Sequence, residues 1–324
     1  MTDLVTFGET ALRLSPPRDS RLETVDTFDV WATGAASNVA VAASRLGTDT
    51  TWTSKMADTP LGRRVVGELR SHGLSTDVEW VDGGYRQGLT FYEGANDPRE
   101  DVVIDDRHGT AIETVEPGEL PMPAIQDAAA VFLSGETLAL SETVVETATA
   151  VLRAAGGTSV LSMDYRSDLW GRDEARETLS DVFPAVDVLV ANEDDAGYVL
   201  KKQGTPHEMA HGIAAEYDFD TVVITRGEHG ALVYHDATVH EREAVDTEGV
   251  DPTGQHDAFT GAFLGRRLAG EDIGTALSHG VAAAALTRTI PGPVPTIDTA
   301  EVEAVADTLG GGSPGGGSPG GGIR

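Results

Sequence analysis

The chain contains no cysteine. Disulfides, iron–sulfur ligation and thiol chemistry are therefore excluded, and the composition suits a reducing compartment such as the cytoplasm. Lysine is almost missing too: Lys55, Lys201 and Lys202 are the only ones in 324 residues. No uninterrupted apolar run approaches the roughly 20 residues that span a bilayer. The N-terminal MTDLVTFGET has no basic segment followed by an apolar one, so it does not read as a secretory signal. What is present in excess is acid. Asp and Glu total 53 against 23 Lys and Arg, a formal net charge of -30 spread along the chain. Such a surface repels nucleic acid and anionic membranes and turns attention to small-molecule partners. Acid-rich and lysine-poor together read as a protein from a salt-in halophile, where molar salt screens the self-repulsion. With 40% hydrophobic residues there is still ample material for a large core.

Strand-like and helix-like runs alternate. Leu4-Val5-Thr6-Phe7 is a short apolar strand ended by Gly8 and Glu9. Asn38 to Leu46, NVAVAASRL, reads as a buried helix entered through the small residues Gly34 to Ser37 and ended by Gly47. Thr59 and Pro60 open another helix as N-cap and first helical residue. Strands at 129–134, 158–164, 184–191, 221–225 and 230–234 are interspersed with helices at 141–154 and 206–217. Small-residue helices at 273–277 and 281–286 and a last one at 299–309 follow. That alternation argues for a mostly parallel α/β sandwich, whose ligands sit beyond the carboxyl ends of the strands. Asp164, Arg166, Asn192 and Gly227 fall at such ends. Residues 77–113 break the pattern. Runs at 78–80, 88–92 and 102–104 read as strands without helices between them, which suggests a small projecting sheet. From Gly310 the sequence GGGSPGGGSPGGGIR cannot bury a core and reads as a flexible tail over 310–324.

The chemistry concentrates between Gly249 and Gly265, GVDPTGQHDAFTGAFLG. Asp251-Pro252-Thr253-Gly254 is a turn, with Pro fixing φ and Gly permitting positive φ. The small apolar run after it reads as a buried helix with Asp257 in its first turn. Free backbone N–H groups and the helix dipole make such an N-terminus an anion site. A carboxylate at the same point can accept the proton of a hydroxyl that attacks a phosphate. One segment thus supplies an anion cradle and a base.

This stretch resembles the D-T-x-G-A-G-D-x-F signature of ribokinase-like, or PfkB-type, carbohydrate kinases, matched by Asp251, Thr253, Gly254, Asp257 and Phe259. Gln255 and His256 stand where the family has Ala-Gly, which puts an imidazole beside the base, where it can perturb the base's pKa. The approach to the first helix is similar to the family's GG-x-x-x-N, matched by Gly34 and Asn38. The resemblance covers about residues 3–307. It implies a three-layer α/β/α sandwich over 1–309, with a small β lid drawn from about 9–31 and 77–113. It implies transfer of the γ-phosphate of ATP to a sugar hydroxyl. Asp257 would be the base, and the N–H groups of Gly254, Gln255, His256 and Asp257 the anion hole. Gly34 and Asn38 would touch the sugar, with Asp58 and Gly62 as secondary candidates. Thr225, Gly227 and Gly230 match the nucleotide loop T/K-x-G-x-x-G. Asn192 and Glu193, in an N-x-x-E/D-A-like element, would lie near the phosphates, Glu193 reaching Mg2+ through water. Potassium is the candidate monovalent activator, and the lid is the expected contact of a homo-oligomer.

Asp164-Tyr165-Arg166-Ser167-Asp168-Leu169-Trp170 looks like a shortened D-x-N-x-R-x-x-L-W run of the 2-keto-3-deoxygluconate kinases. By that likeness Arg166, with Arg107 after the strand at 102–105, holds the carboxylate of 2-keto-3-deoxygluconate or its galactonate epimer, a fit for planar guanidinium groups. If both arginines only pair with acidic neighbours, a neutral sugar such as fructose or ribose takes its place, or a nucleoside. A non-catalytic sugar-binding protein, its anion hole disabled by Gln255-His256, is a further alternative. One motif points elsewhere: His207-Glu208-Met209-Ala210-His211 is an HExxH, able on a helix to share a zinc in a hydrolase. No further His follows at the spacing that would complete it.

The charge reading has its own test. Followed by circular dichroism, the fold should hold in molar KCl and unfold on dialysis into dilute buffer. Full stability in dilute buffer would contradict it.

Overall fold

The four residues Leu4–Phe7 are all buried and form strand β1. In the computed structural model, which describes residues 2–17, 20–95 and 98–310, β1 lies inside a nine-stranded sheet. The remaining strands are β2 (Ala11–Ser15), β3 (Asp29–Thr33), β4 (Thr50–Ala57), β5 (Ser75–Val81), β6 (Leu89–Glu93) and β7 (Val102–Asp106). They continue as β8 (Ala130–Ser134), β9 (Thr158–Ser162), β10 (Val188–Asn192), β11 (Thr221–Thr225), β12 (Ala231–His235) and β13 (Thr238–Arg242). The helices are α1 (Ala35–Arg45), α2 (Pro60–Ser71), α3 (Met122–Asp127), α4 (Gly135–Leu138), α5 (Glu142–Ala154) and α6 (Arg172–Val182). After them come α7 (Glu193–Tyr198), α8 (Pro206–Tyr217), α9 (Gln255–Leu268), α10 (Ile273–Thr287) and α11 (Thr299–Gly310). The two helices read at 273–286 are one, and the tail read from Gly310 lies, from 311 on, outside the described residues.

The large sheet runs β13-β12-β11-β10-β9-β8-β1-β4-β5. From β11 to β5 every pairing is parallel, and β12 and β13 fold back antiparallel at one edge. Side chains alternate across a strand, so each face carries its own core. Val5, Val131, Leu161 and Leu189 pack under α5, α6 and α8. Leu4, Phe132, Val160 and Val190 pack under α1, α2, α9 and α10. The result is the expected three-layer α/β/α sandwich.

Small residues bring α1 and α9 close together. A Cβ on Gly261 of α9 would lie 2.5 Å from the carbonyl oxygen of Val39 and 2.7 Å from the Cβ of Ala42 on α1. The N-termini of these two helices therefore meet beside the carboxyl ends of the sheet strands. Above them lies a four-stranded lid in the order β3-β2-β6-β7.

The lid differs from the sequence reading in one strand. The run at 78–80 belongs to β5, which pairs in parallel with β4 at the edge of the large sheet. It follows β4 and α2 as the return of a β-α-β crossover, and Val78 packs against the core on that face. The lid takes two strands from 11–33 and two from 89–106.

Candidate active site

Between the lid and the ends of β9, β10 and β11 lies a cavity of about 920 Å³, large for a small-molecule site. Its wall includes Gly34, Asn38, Arg107 and Arg166, then Asn192, Glu193, Thr225, Gly227 and Gly230. Gly254, Gln255, His256 and Asp257 complete it, so every primary site residue picked from the sequence faces one space. The secondary candidates Asp58 and Gly62 do not: Asp58 pairs with Arg63 over a separate groove, and Gly62 packs against the carbonyl of Ala57.

Gly254 sets the geometry of the anion loop. Its φ of 75° is left-handed, and a Cβ there would lie 1.9 Å from the carbonyl oxygen of Pro293. Helix α9 starts immediately after it. Its first intrahelical bond runs from Ala258 N–H to Gly254 O at 2.9 Å, which leaves the N–H groups of Gln255, His256 and Asp257 without an intrahelical acceptor. Asp257 accepts a hydrogen bond of 2.8 Å from Asn38 Nδ2, and Asn38 also donates to Thr33 at 3.0 Å. Burial, then the nearby Asp164, push the Asp257 carboxyl well above the ordinary range, against the opposing pull of Asn38. Asp164 itself is strained, with φ 36°, and burial pushes it up to about 7.

His256 behaves differently from the expectation. Its Nδ1 lies 3.0 Å from Thr225 Oγ1 and its Nε2 2.9 Å from Ser162 Oγ, so the ring bridges the ends of β11 and β9. Asp164 Oδ1 is 3.4 Å from Nε2. Burial pushes the imidazole down to about 4, so this contact is not an ion pair near neutrality. A neutral ring carries no charge to shift Asp257; burial and Asp164 do that instead. The bulk that replaces the family's Gly is stored between strand ends, and the helix start is preserved.

The two arginines share their carboxylates. Arg107, 7% exposed, has Nη1 2.7 Å from Glu136 and 3.4 Å from Glu9, and Nε 3.4 Å from Asp105. Arg166 reaches Asp105 at 3.0 Å and Glu136 at 3.6 Å, with its side chain 31% exposed. Arg107 is thus largely consumed by ion pairs, while Arg166 is the more open cation. Burial pushes Glu9, behind Arg107, up to about 7. Glu136 is a wall residue the sequence reading passed over, although its place just after β8 marks a strand end.

On the other side, Asn192 caps α7, accepting from Asp195 N–H at 2.6 Å and donating to its carboxylate at 2.8 Å. Glu193 follows at the cavity wall. Gly227 and Gly230 both have positive φ, and a Cβ on Gly230 would meet the carbonyl of Arg242 at 2.0 Å. The HExxH segment lies on α8, away from the cavity. Glu208 is spent on capping, accepting from Thr205 N–H at 2.7 Å, and His207 pairs with Glu241 at 3.4 Å. With Glu208 turned to the helix cap and His207 to Glu241, the motif's side chains do not converge on a shared metal position, and the zinc-hydrolase reading is dropped.

Free helix-start amides and a buried carboxyl within one helical turn, roofed by a β lid, are the geometry expected of a kinase of small hydroxylated molecules. Residues 1–300 match the pfkB family of carbohydrate kinases, and the chain belongs to that family. It is 48% identical over 306 residues to a 2-dehydro-3-deoxygalactonokinase of Haloferax volcanii, covering 94% of this chain and 96% of the other. To a 2-dehydro-3-deoxygluconokinase of Thermoproteus tenax it is 31% identical over 297 residues, 90% of each chain. Its fold is similar to the crystal structure of a 2-dehydro-3-deoxygluconokinase from Thermotoga maritima, with TM-score 0.89, 31% identity and coverage of 94% and 98%. The protein is an ATP-dependent sugar kinase.

The raised Asp257 sets a pH expectation. A base must be ionised to work, so kcat/KM should rise with pH through a limb above the ordinary carboxylate range. Asp164→Asn removes the charge that helps to raise it, so the limb should move to lower pH. Asp257→Asn should lower kcat by about 10²-fold or more. A near-wild-type rate in Asp257→Asn, or a limb unmoved in Asp164→Asn, would contradict the assignment.

Proposed function

We propose that the enzyme phosphorylates a 2-keto-3-deoxy sugar acid, the galactonate or gluconate epimer, to its 6-phospho product. The observation that carries this is Arg166, a partly exposed guanidinium on the wall of the cavity that contains Asp257. Its Nη groups lie against Asp105 and Glu136, and its exposed part leaves a charged donor for a substrate carboxylate. The likeness to kinases named for these two epimers supports the same choice.

In this reading the sugar lies under the lid, near Gly34 and Asn38, with its carboxylate toward Arg166. Asp257 takes the proton of the attacking hydroxyl, and Asn38 keeps the carboxylate in place. The N–H groups of Gln255, His256 and Asp257, at a helix N-terminus, stabilise charge on the transferring phosphoryl group. The glycine loop at Gly227 and Gly230 lets the nucleotide approach the backbone. Magnesium fits a site made mainly by the phosphates, with Glu193 as the carboxylate of the wall, acting through water. Bound there, the ion neutralises phosphate charge. Val102 and Ile104, 41% and 52% exposed on the lid-edge strand β7, support a homo-oligomer formed through the lid.

The test is ATP consumption in molar KCl with Mg2+, against both keto-deoxy acids, fructose, ribose and nucleosides. Turnover should be confined to the keto-deoxy acids, and Arg166→Ala should raise their KM by roughly 10-fold or more, the loss of a charge-assisted hydrogen bond. Turnover of a neutral sugar, with Arg166→Ala without effect, would refute the sugar-acid reading and leave the kinase standing.

A further inference from the structure

Arg13 has no part in the chemistry described so far, yet it is the most elaborately held cation of the cavity wall. It sits in the middle of lid strand β2 and is 4% exposed. Its Nη1 donates to Thr253 Oγ1 at 2.5 Å and its Nη2 to Asp251 Oδ2 at 3.1 Å. Nε donates to Ser15 Oγ at 2.9 Å within the same strand. The guanidinium carbon lies 3.9 Å from the ring centre of Tyr92 and 5.6 Å from that of Trp31. Those rings belong to β6 and β3, so three of the four lid strands converge on one charge.

The receiving end is the anion loop. Asp251 Oδ1 accepts from Thr253 N–H at 3.0 Å and from Thr253 Oγ1 at 2.5 Å, and Oδ2 accepts from Gly292 N–H at 3.2 Å. Asp251 and Thr253 lie just before Gly254, whose left-handed turn aims the free N–H groups of α9. The segment from 251 to 254 is thus closed on itself by Asp251 and tied to the lid by Arg13. A lysine in its place would carry the charge but lack the fork that reaches two acceptors at once.

We propose that Arg13 is a positioning residue that latches the lid to the anion loop, so that the sugar cover and the phosphoryl-binding amides are held in one geometry. Loosening this latch misplaces the cradle relative to the acceptor. Rate should suffer more than sugar binding.

The inference rests on the kinase assignment and not on which sugar is used. Arg13→Ala and Arg13→Lys would be compared with wild type on whichever sugar the wild type turns over, together with hydrogen–deuterium exchange of the segment 249–257. Arg13→Ala should lower kcat by about 10- to 100-fold with KM for the sugar changed less than about threefold, the scale expected for misplacement of reacting groups. Added guanidinium ion should restore part of the rate in Arg13→Ala and none in wild type, and exchange at 249–257 should rise. Arg13→Lys should fall between. Unchanged kcat, a rise in KM alone, or a loss of rate without faster exchange at 249–257 would each overturn the latch. If Arg13→Ala does not fold, Arg13→Lys decides, and wild-type rate and exchange in that variant would overturn it. Should the wild type turn over no sugar, the functional reading fails and the exchange data alone judge the latch.

Discussion

The hydrogen bond of 2.8 Å from Asn38 to Asp257 joins the starts of two helices that are far apart in sequence. Everything at the site depends on those starts meeting. They meet because α1 and α9 are built from small residues and cross closely at Gly261. The same closeness buries the Asp257 carboxyl. Burial and Asp164 raise its affinity for a proton, and the donor that Asn38 supplies and the positive charge of Arg166 pull the other way. A carboxyl held in this way binds a proton more readily than an ordinary carboxylate. It also lies at a helix N-terminus whose first amides have no intrahelical acceptor. The carboxyl and the free amides are therefore fixed by one turn of helix.

The surface charge of the chain makes the composition of the cavity informative. In a protein with so few cations, Arg13, Arg107 and Arg166 are all placed on its wall. Each is matched by carboxylates: Asp251 for Arg13, Glu9, Asp105 and Glu136 for Arg107, and Asp105 and Glu136 for Arg166. Buried charges persist only when paired in this way, and each pair offsets a desolvation penalty more than it adds stability. What the pairs provide is orientation. Arg107 steadies Glu136 and Asp105, and these in turn hold Arg166 toward the cavity. Asp105 lies on the lid and Arg166 after β9, so this contact, like that of Arg13, ties the lid to the body of the enzyme.

Much of this was legible in the sequence where a residue type is dictated by backbone geometry. Gly254 could be placed because only a left-handed residue opens α9, and Asp257 because its position in the first turn follows. The alternation of strands and helices pointed to the sandwich, and the strand-end rule found Asp164, Arg166 and Asn192. The edge strand β5 was misplaced in the lid because a half-exposed strand has the same alternation in either sheet; only its crossover through α2 tells them apart. His256 was misjudged because it neighbours Asp257 in sequence, whereas its ring turns toward Ser162 and Thr225 in strands distant along the chain. Arg13 sits in an alternating strand, Ala-Leu-Arg-Leu, on the face opposite the leucines. The sequence reading gave no strand at 11–15, and the partner loop is remote along the chain and left no local trace.

The central claim is that burial and Asp164 hold the Asp257 carboxyl as a raised, poised base. It is tested most directly by a carboxyl-carbon NMR titration of Asp257 in the sugar-free enzyme at high salt, assigned by comparison with Asp257→Asn. The account predicts a midpoint well above the ordinary aspartate value of about 3.9. A midpoint at or below that value would contradict it, since the carboxylate would then be an ordinary capped helix start with no special affinity for a substrate proton.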